Sequence, residues 1–126
     1  MIDQKSIVQA LYAATGQGDW ATAEGYLTED FFVTEAPHLP MAGCYRGRTA
    51  LRALYERVFA MIDVVGLEVH DIAVGDTHAV CILDMLLAGT PPVRVPIAEM
   101  FKFRDGKVCE IKPYYYDPAL LTRRSV

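Results

Sequence analysis

Apolar residues recur along this chain in two rhythms, a helical one in the first half and a strand-like one in the second. Ile7, Val8, Leu11 and Tyr12 fall on one face of a first helix, which Asp3 is placed to cap and Gly16 and Gly18 to end. Asp19 opens a short second helix through Trp20, Ala23 and Leu27. Leu51, Leu54, Tyr55, Val58 and Ile62 form the stripe of a third, over residues 48–62. Between the second and third helices, residues 30–35 predict a short strand. Residues 36–47, with two prolines and two glycines, predict a loop.

Alternation takes over from Gly66. Residues 66–74 and 77–87 predict strands joined at Gly75-Asp76, a two-residue hairpin signal. Residues 89–92 (GTPP) turn into a long strand over 93–104, and Asp105-Gly106 turns into a last strand over 107–116, which Asp117-Pro118 ends. Helices followed by strands give an α+β fold, with the helices packed on one face of a mainly antiparallel sheet.

Two acids break this pattern. In residues 93–104, Val93, Val95, Ile97, Glu99, Phe101 and Phe103 share a face that is apolar except for Glu99. A bare carboxylate is costly to desolvate, so Glu99 finds a partner, takes up a proton, or lines a cavity that water enters. In the preceding strand Val80, Ile82, Asp84 and Leu86 share a face on which Asp84 is the exception. Asp84 either joins the pocket or reaches solvent beside the GTPP turn. The opposite face, from Ala79 to Leu87, is also apolar, so this strand is expected to be covered on both sides, one of them by a second copy. Counted from Gly75-Asp76, His70 pairs with Cys81 and His78 with Ala73, which puts the histidines on opposite faces and disfavours a shared metal.

Composition narrows the class. A length of 126 residues, at 14.0 kDa, suits one domain over 1–126. A hydrophobic content of 52% argues against disorder, and no run approaches the ~18 apolar residues of a membrane span. The acid at Asp3 and the lack of an early apolar stretch argue against a signal peptide. A net charge of −4 argues against a nucleic-acid partner. Cys44, Cys81 and Cys109 form no CxxC, which fits a reduced, cytoplasmic setting and no zinc knuckle.

Three segments, IVQALYAATGQGDWATAEGYLTEDFFV (7–33), GCYRGRTALRALYERVF (43–59) and PIAEMFKFRDGKVCEI (96–111), carry a resemblance that covers nearly the whole chain. It resembles the nuclear transport factor 2-like superfamily, and within it the SnoaL-like polyketide cyclases and ketosteroid isomerases. The resemblance implies a cone-shaped fold in which three helices close a strongly curved sheet around a deep, largely apolar pocket. It also implies a homodimer packed sheet against sheet.

For the site, the resemblance implies that Glu35, in FFVTEAP, occupies the position of a general-base aspartate. Glu99, in IAEMFKF, occupies that of an acid kept protonated to donate a hydrogen bond to an oxyanion. Tyr55 matches a supporting tyrosine. The helix-one tyrosine of that family aligns with Leu11, and Tyr12 stands one residue on, about 100° around the helix. Glu in place of Asp lengthens each acid by a methylene.

A base and a protonated acid across an apolar pocket suit proton transfer beside a carbonyl without a cofactor: isomerisation, cyclisation or dehydration. Glu35 is then the expected base and Glu99 the expected acid, with Tyr55 supporting and Asp84 a further candidate. The expected ligand is a small hydrophobic carbonyl compound. Ile97 and Phe101 beside Glu99, Ile82 beside Asp84, Ile111 and Tyr115 on the last strand, and Phe59 on the third helix are expected to contact it. So are Tyr12 and Trp20, each also readable as core, and His38, which stands three residues after Glu35 and is also readable as an exposed loop residue. The competing reading is a non-catalytic module that binds a small molecule or a protein on the same fold. An epoxide-hydrolase variant needs an arginine between acids, and Arg94 alternates away from Glu99.

Overall fold

A computed structural model describes residues 3–122. It begins with helix α1 (Gln4–Gly16), whose N-terminus the Asp3 carboxylate caps by accepting from the Ser6 amide at 2.8 Å. Helix α2 (Trp20–Gly25) is capped by Asp19, which accepts from both the amide and the hydroxyl of Thr22. Strands β1 (Leu27–Glu35) and β2 (Gly43–Arg46) follow, then helix α3 (Ala50–Met61). Strands β3 (Val64–Val74), β4 (His78–Leu87), β5 (Val93–Arg104) and β6 (Lys107–Tyr115) come next, and a short helix α4 (Ala119–Thr122) closes the described chain. No described helix is long and apolar enough to cross a membrane.

The six strands form one sheet in the order β2-β1-β6-β5-β4-β3. Only β1 and β6 run parallel, so the architecture is α+β with a mostly antiparallel sheet. Register shifts in β3 near Gly66 and His70, in β1 between Leu27 and Phe32, and where Phe103 meets Val108 bend the sheet. Its concave face holds the core. Ile7, Val8 and Leu11 of α1 and Leu51, Leu54 and Val58 of α3 are buried with Val95, Ile97, Phe101 and Ile111.

Four local expectations need correction. The first strand starts at Leu27 rather than Asp30. The loop after it contains β2, too short to signal itself by alternation and held by pairing from Phe32↔Arg46 to Glu35↔Gly43. Helix α4 was not expected. The β3–β4 turn is Asp76-Thr77, one residue later than the Gly75-Asp76 signal, because the Gly75 amide donates to the His78 carbonyl. With that turn, Cys81 pairs with Ile72 and Val80 with Ala73, so neither expected histidine pairing holds.

The β4–β5 connection fixes which acid faces inward. Leu87 pairs with Val93 across a five-residue loop, so odd-numbered residues of the two strands lie opposite one another, as in Cys81↔Glu99 and Leu83↔Ile97. Asp84 pairs with Pro96 and Ile82 with Ala98 on the convex face.

Candidate active site

The concave face encloses a cavity between the sheet and α3. Its volume is about 70 Å³. Its walls are chiefly apolar: Leu54, Val58 and Phe59 from α3, Leu83 and Met85 from β4, and Ile97 and Ile111 beneath. Its polar side chains come from Glu35, Glu99, Tyr55 and Tyr115. A smaller chamber of about 20 Å³ lies behind Glu99, lined by Tyr12, Thr15, Tyr55 and Phe101 among others.

Strand pairing brings the two glutamates together. Glu99 on β5 pairs with Pro113 on β6. On the other side of β6, β1 runs parallel with Val33 beside Ile111; that register, continued two residues, sets Glu35 beside Pro113. Glu35 and Glu99 are thus two strand spacings apart on one face, roughly 10 Å between backbones, and their side chains converge on the same cavity.

Glu35 is only 3% exposed, and its Oε1 has no hydrogen-bond partner among the described residues. Burial pushes its carboxyl up to about 8, the nearby Glu99 adds to this, and a hydrogen bond from Tyr115 opposes it. Burial also raises Glu99 above the usual carboxylate range, against a hydrogen bond that Tyr12 donates to its Oε1. Tyr12 packs edge-on against Phe101, with ring centroids 5.9 Å apart. Burial, with Glu99 adding to it, holds the phenols of Tyr12 and Tyr55 neutral, and Tyr115 stays neutral by burial beside Glu35. Burial raises the Cys81 thiol to about 11, against a hydrogen bond with Tyr12.

Tyr55 lines both chambers, and its hydroxyl donates to Thr15 Oγ1 at 3.4 Å. Phe59 lines the cavity while remaining 56% exposed, which places it at the rim. Phe101 and Tyr12 line the inner chamber rather than the main cavity.

Four expected contacts lie elsewhere. Asp84 is on the convex face, bonded to His70 at 3.0 Å and Arg94 at 3.1 Å; the His70 bond, first, and Arg94 hold its carboxyl below the usual range. Ile82 shares that face and is exposed. Trp20 packs edge-on against Tyr55 at 5.2 Å and does not line the cavity. His38 is exposed in the loop after β1 and does not line it either. Conversely, lining residues that include Val33, Leu54, Val58, Leu67, Leu83, Met85 and Thr15 were missed. The odd length of the β4–β5 loop was the signal that could have found Leu83 and Met85. Among the described residues no group of three or more His, Cys, Asp or Glu is arranged to hold a metal.

Residues 8–111 match the model of the SnoaL-like domain. No curated protein matches the sequence. Solved structures do. An NTF2-like protein of unknown function from Burkholderia pseudomallei superposes with a TM-score of 0.84 at 16% identity, covering 98% of each chain. An NTF2-like protein from Burkholderia thailandensis gives 0.84 at 18% identity, covering 98% of this chain and 97% of its own. Bal32a, from a soil-derived mobile gene cassette, gives 0.79 at 21% identity, covering 91% of this chain and 90% of its own. At such identities the likeness shows the fold: the cone-shaped NTF2-like architecture.

Proposed function

This chain belongs to the SnoaL-like domain family, and from that premise we propose that it is a cofactor-free proton-transfer enzyme acting on a small hydrophobic carbonyl compound. The family's fold hosts isomerases and cyclases. The observation that carries the reading is the pair of glutamates converging on one apolar cavity, with Glu35 Oε1 unpartnered.

In this reading Glu35 is the base. A carboxyl titrating near 8 is a stronger base than a solvated one, and its ionised fraction removes a proton from the carbon next to the carbonyl. Tyr12 occupies Glu99 Oε1, which leaves the other oxygen to carry a proton toward the cavity. Glu99 in its acid form donates to the substrate oxygen as enolate charge develops there. Returning the proton from Glu35 to a different carbon completes an isomerisation. Tyr55 and Tyr115 hold the site's outline, and Leu54, Met85 and Ile97 exclude water. The companion expectation is a homodimer through the convex face of the sheet.

The test is deuterium exchange into cyclic enones and β,γ-unsaturated ketones, followed by NMR. Exchange above the buffer rate that falls at least 100-fold in Glu35→Gln is the expected result. Equal exchange in that variant and the parent protein overturns the assignment. Ligand binding without exchange favours the binding-module reading.

A further inference from the structure

The cavity holds two carboxyls and no cation. None of the described residues lining it is Lys, Arg or His. An acid buried in a fold usually gains a counter-charge or several hydrogen bonds. Glu99 has the Tyr12 hydroxyl, and Glu35 has Tyr115 on one side and an unpartnered Oε1 on the other. The oxygen that lacks a partner belongs to a glutamate that is only 3% exposed.

We propose that this cavity is a binding site for small apolar amines, received as ammonium ions between Glu35 and Glu99. The claim goes beyond the proton-transfer reading and does not depend on it. An ammonium carries three donors. Glu35 Oε1 and Glu99 accept two of them, and a phenol oxygen of Tyr55 or Tyr115 is available for the third. The apolar body of the ligand meets Leu54, Val58, Met85 and Ile97. Desolvating two charges together often cancels their attraction. Here both carboxyls are already withdrawn from water by the fold, so binding desolvates the ammonium and ionises Glu35, and the paired charge favours that ionisation. A carboxylate ligand would place a third acid in the same space and is rejected. A neutral alcohol gains hydrogen bonds but no charge attraction.

The proposal has a proton signature. The titratable neighbours from the packed elements are Tyr12 (α1), Tyr45 (β2), Tyr55 (α3), Cys81 (β4) and Tyr115 (β6), all pushed upward by burial and uncharged near neutrality. The carboxyls therefore supply the response. Glu35, near 8 in the free protein, is largely protonated at neutral pH, and pairing with an ammonium ionises it. At least one proton, that of Glu35, leaves per amine bound, so affinity rises as pH rises, about tenfold per unit for each carboxyl that is protonated in the free protein and ionised in the complex.

Isothermal titration calorimetry with benzylamine, benzyl alcohol and benzoate tests this, in buffers of different ionisation heat. The expected result at about pH 7 is benzylamine at least tenfold tighter than the alcohol, net release of protons on binding, and no binding of benzoate. Glu35→Gln and Glu99→Gln each remove most of the preference for the amine, with folding checked by circular dichroism. Benzylamine binding no tighter than the alcohol, a preference that survives in both variants, or no binding of either ligand overturns the proposal. The pH dependence in the unmodified protein tests it even where a variant fails to fold. Amine capture without ketone exchange would sink the enzymatic reading alone, and exchange without a preference for the amine would sink this one alone.

Discussion

Glu35 and Glu99 stand on either side of one strand, β6, with Pro113 between them. The intervening residue has no amide hydrogen and a compact apolar side chain, so it offers neither acid a donor. Both carboxyls then meet the same low-polarity space from opposite sides, and the nearness of Glu99 adds to the upward push that burial gives Glu35. The chemistry of the cavity follows from that spacing. It is close enough for coupling, and wide enough for a ligand atom to stand between the two.

Holding Glu35 protonated has a cost in stability at high pH. Its carboxyl titrates near 8 in the folded chain, against an ordinary glutamate value of 4.5. Between those values the folded state binds more protons than the unfolded state, so unfolding free energy falls as pH rises, by up to about 1.4 kcal/mol per unit. Urea denaturation from about pH 5 to 8 should show this decline, and Glu35→Gln should flatten it and be the more stable protein at pH 8. A variant with the parent's slope would mean that Glu35 is solvated.

Tyr12→Phe removes a hydrogen bond that favours the ionised form of Glu99. Glu99 should therefore titrate higher still, as read by carbon-detected NMR of its carboxyl. Where Glu99 is ionised in the parent protein, the loss should cost about 1–3 kcal/mol, since the lost bond is to a charged group. An unchanged Glu99 titration would show that the phenol does not reach the acid in solution.

Asp84→Asn should leave ketone exchange within about twofold of the parent value, because this acid faces away from the cavity. Its partners, His70 and Arg94, are exposed, so the stability change should stay below about 1 kcal/mol. A large loss of exchange would reopen a catalytic role for Asp84.

How far the sequence reaches is visible at these acids. The helix stripes and the long strands follow from periodicity, and Glu99 stands out as the one polar residue on its face. Asp84 stands out in the same way, yet β4 is apolar on both faces, so alternation within the strand cannot say which one turns inward. That choice is made by the number of residues between β4 and β5, a property of the loop. The turn before β4 misled by one residue because Gly75 belongs to the last pair of the ladder, its amide donating to the His78 carbonyl, which leaves Asp76-Thr77 as the turn. Tyr12 needs tertiary information: Leu11 takes the core position, and the long phenol reaches Glu99 from the flank of the helix. The short strand β2 has no pattern of its own and exists through its partner β1.

The convex face carries the remaining prediction. Ile82 and Tyr114 flank Ala98 across β4, β5 and β6, and both are exposed, at 44% and 56%. A small residue between two large apolar ones makes a shallow trough in the middle of a sheet, where no strand edge blocks the approach of another surface. Large exposed apolar groups gathered in this way are unfavourable in water and favour burial against a second surface. A second copy of the same face is self-complementary about a twofold axis, each trough receiving the other's ridge. Sedimentation velocity should then give twice the 14.0 kDa chain mass. Ile82→Asp should return the protein to one chain while leaving the concave cavity and its ligand binding intact, since Ile82 does not line that cavity. A parent protein that sediments as a single chain at concentrations near 100 µM, roughly the range of weak association, would remove the second copy and leave the trough uncovered.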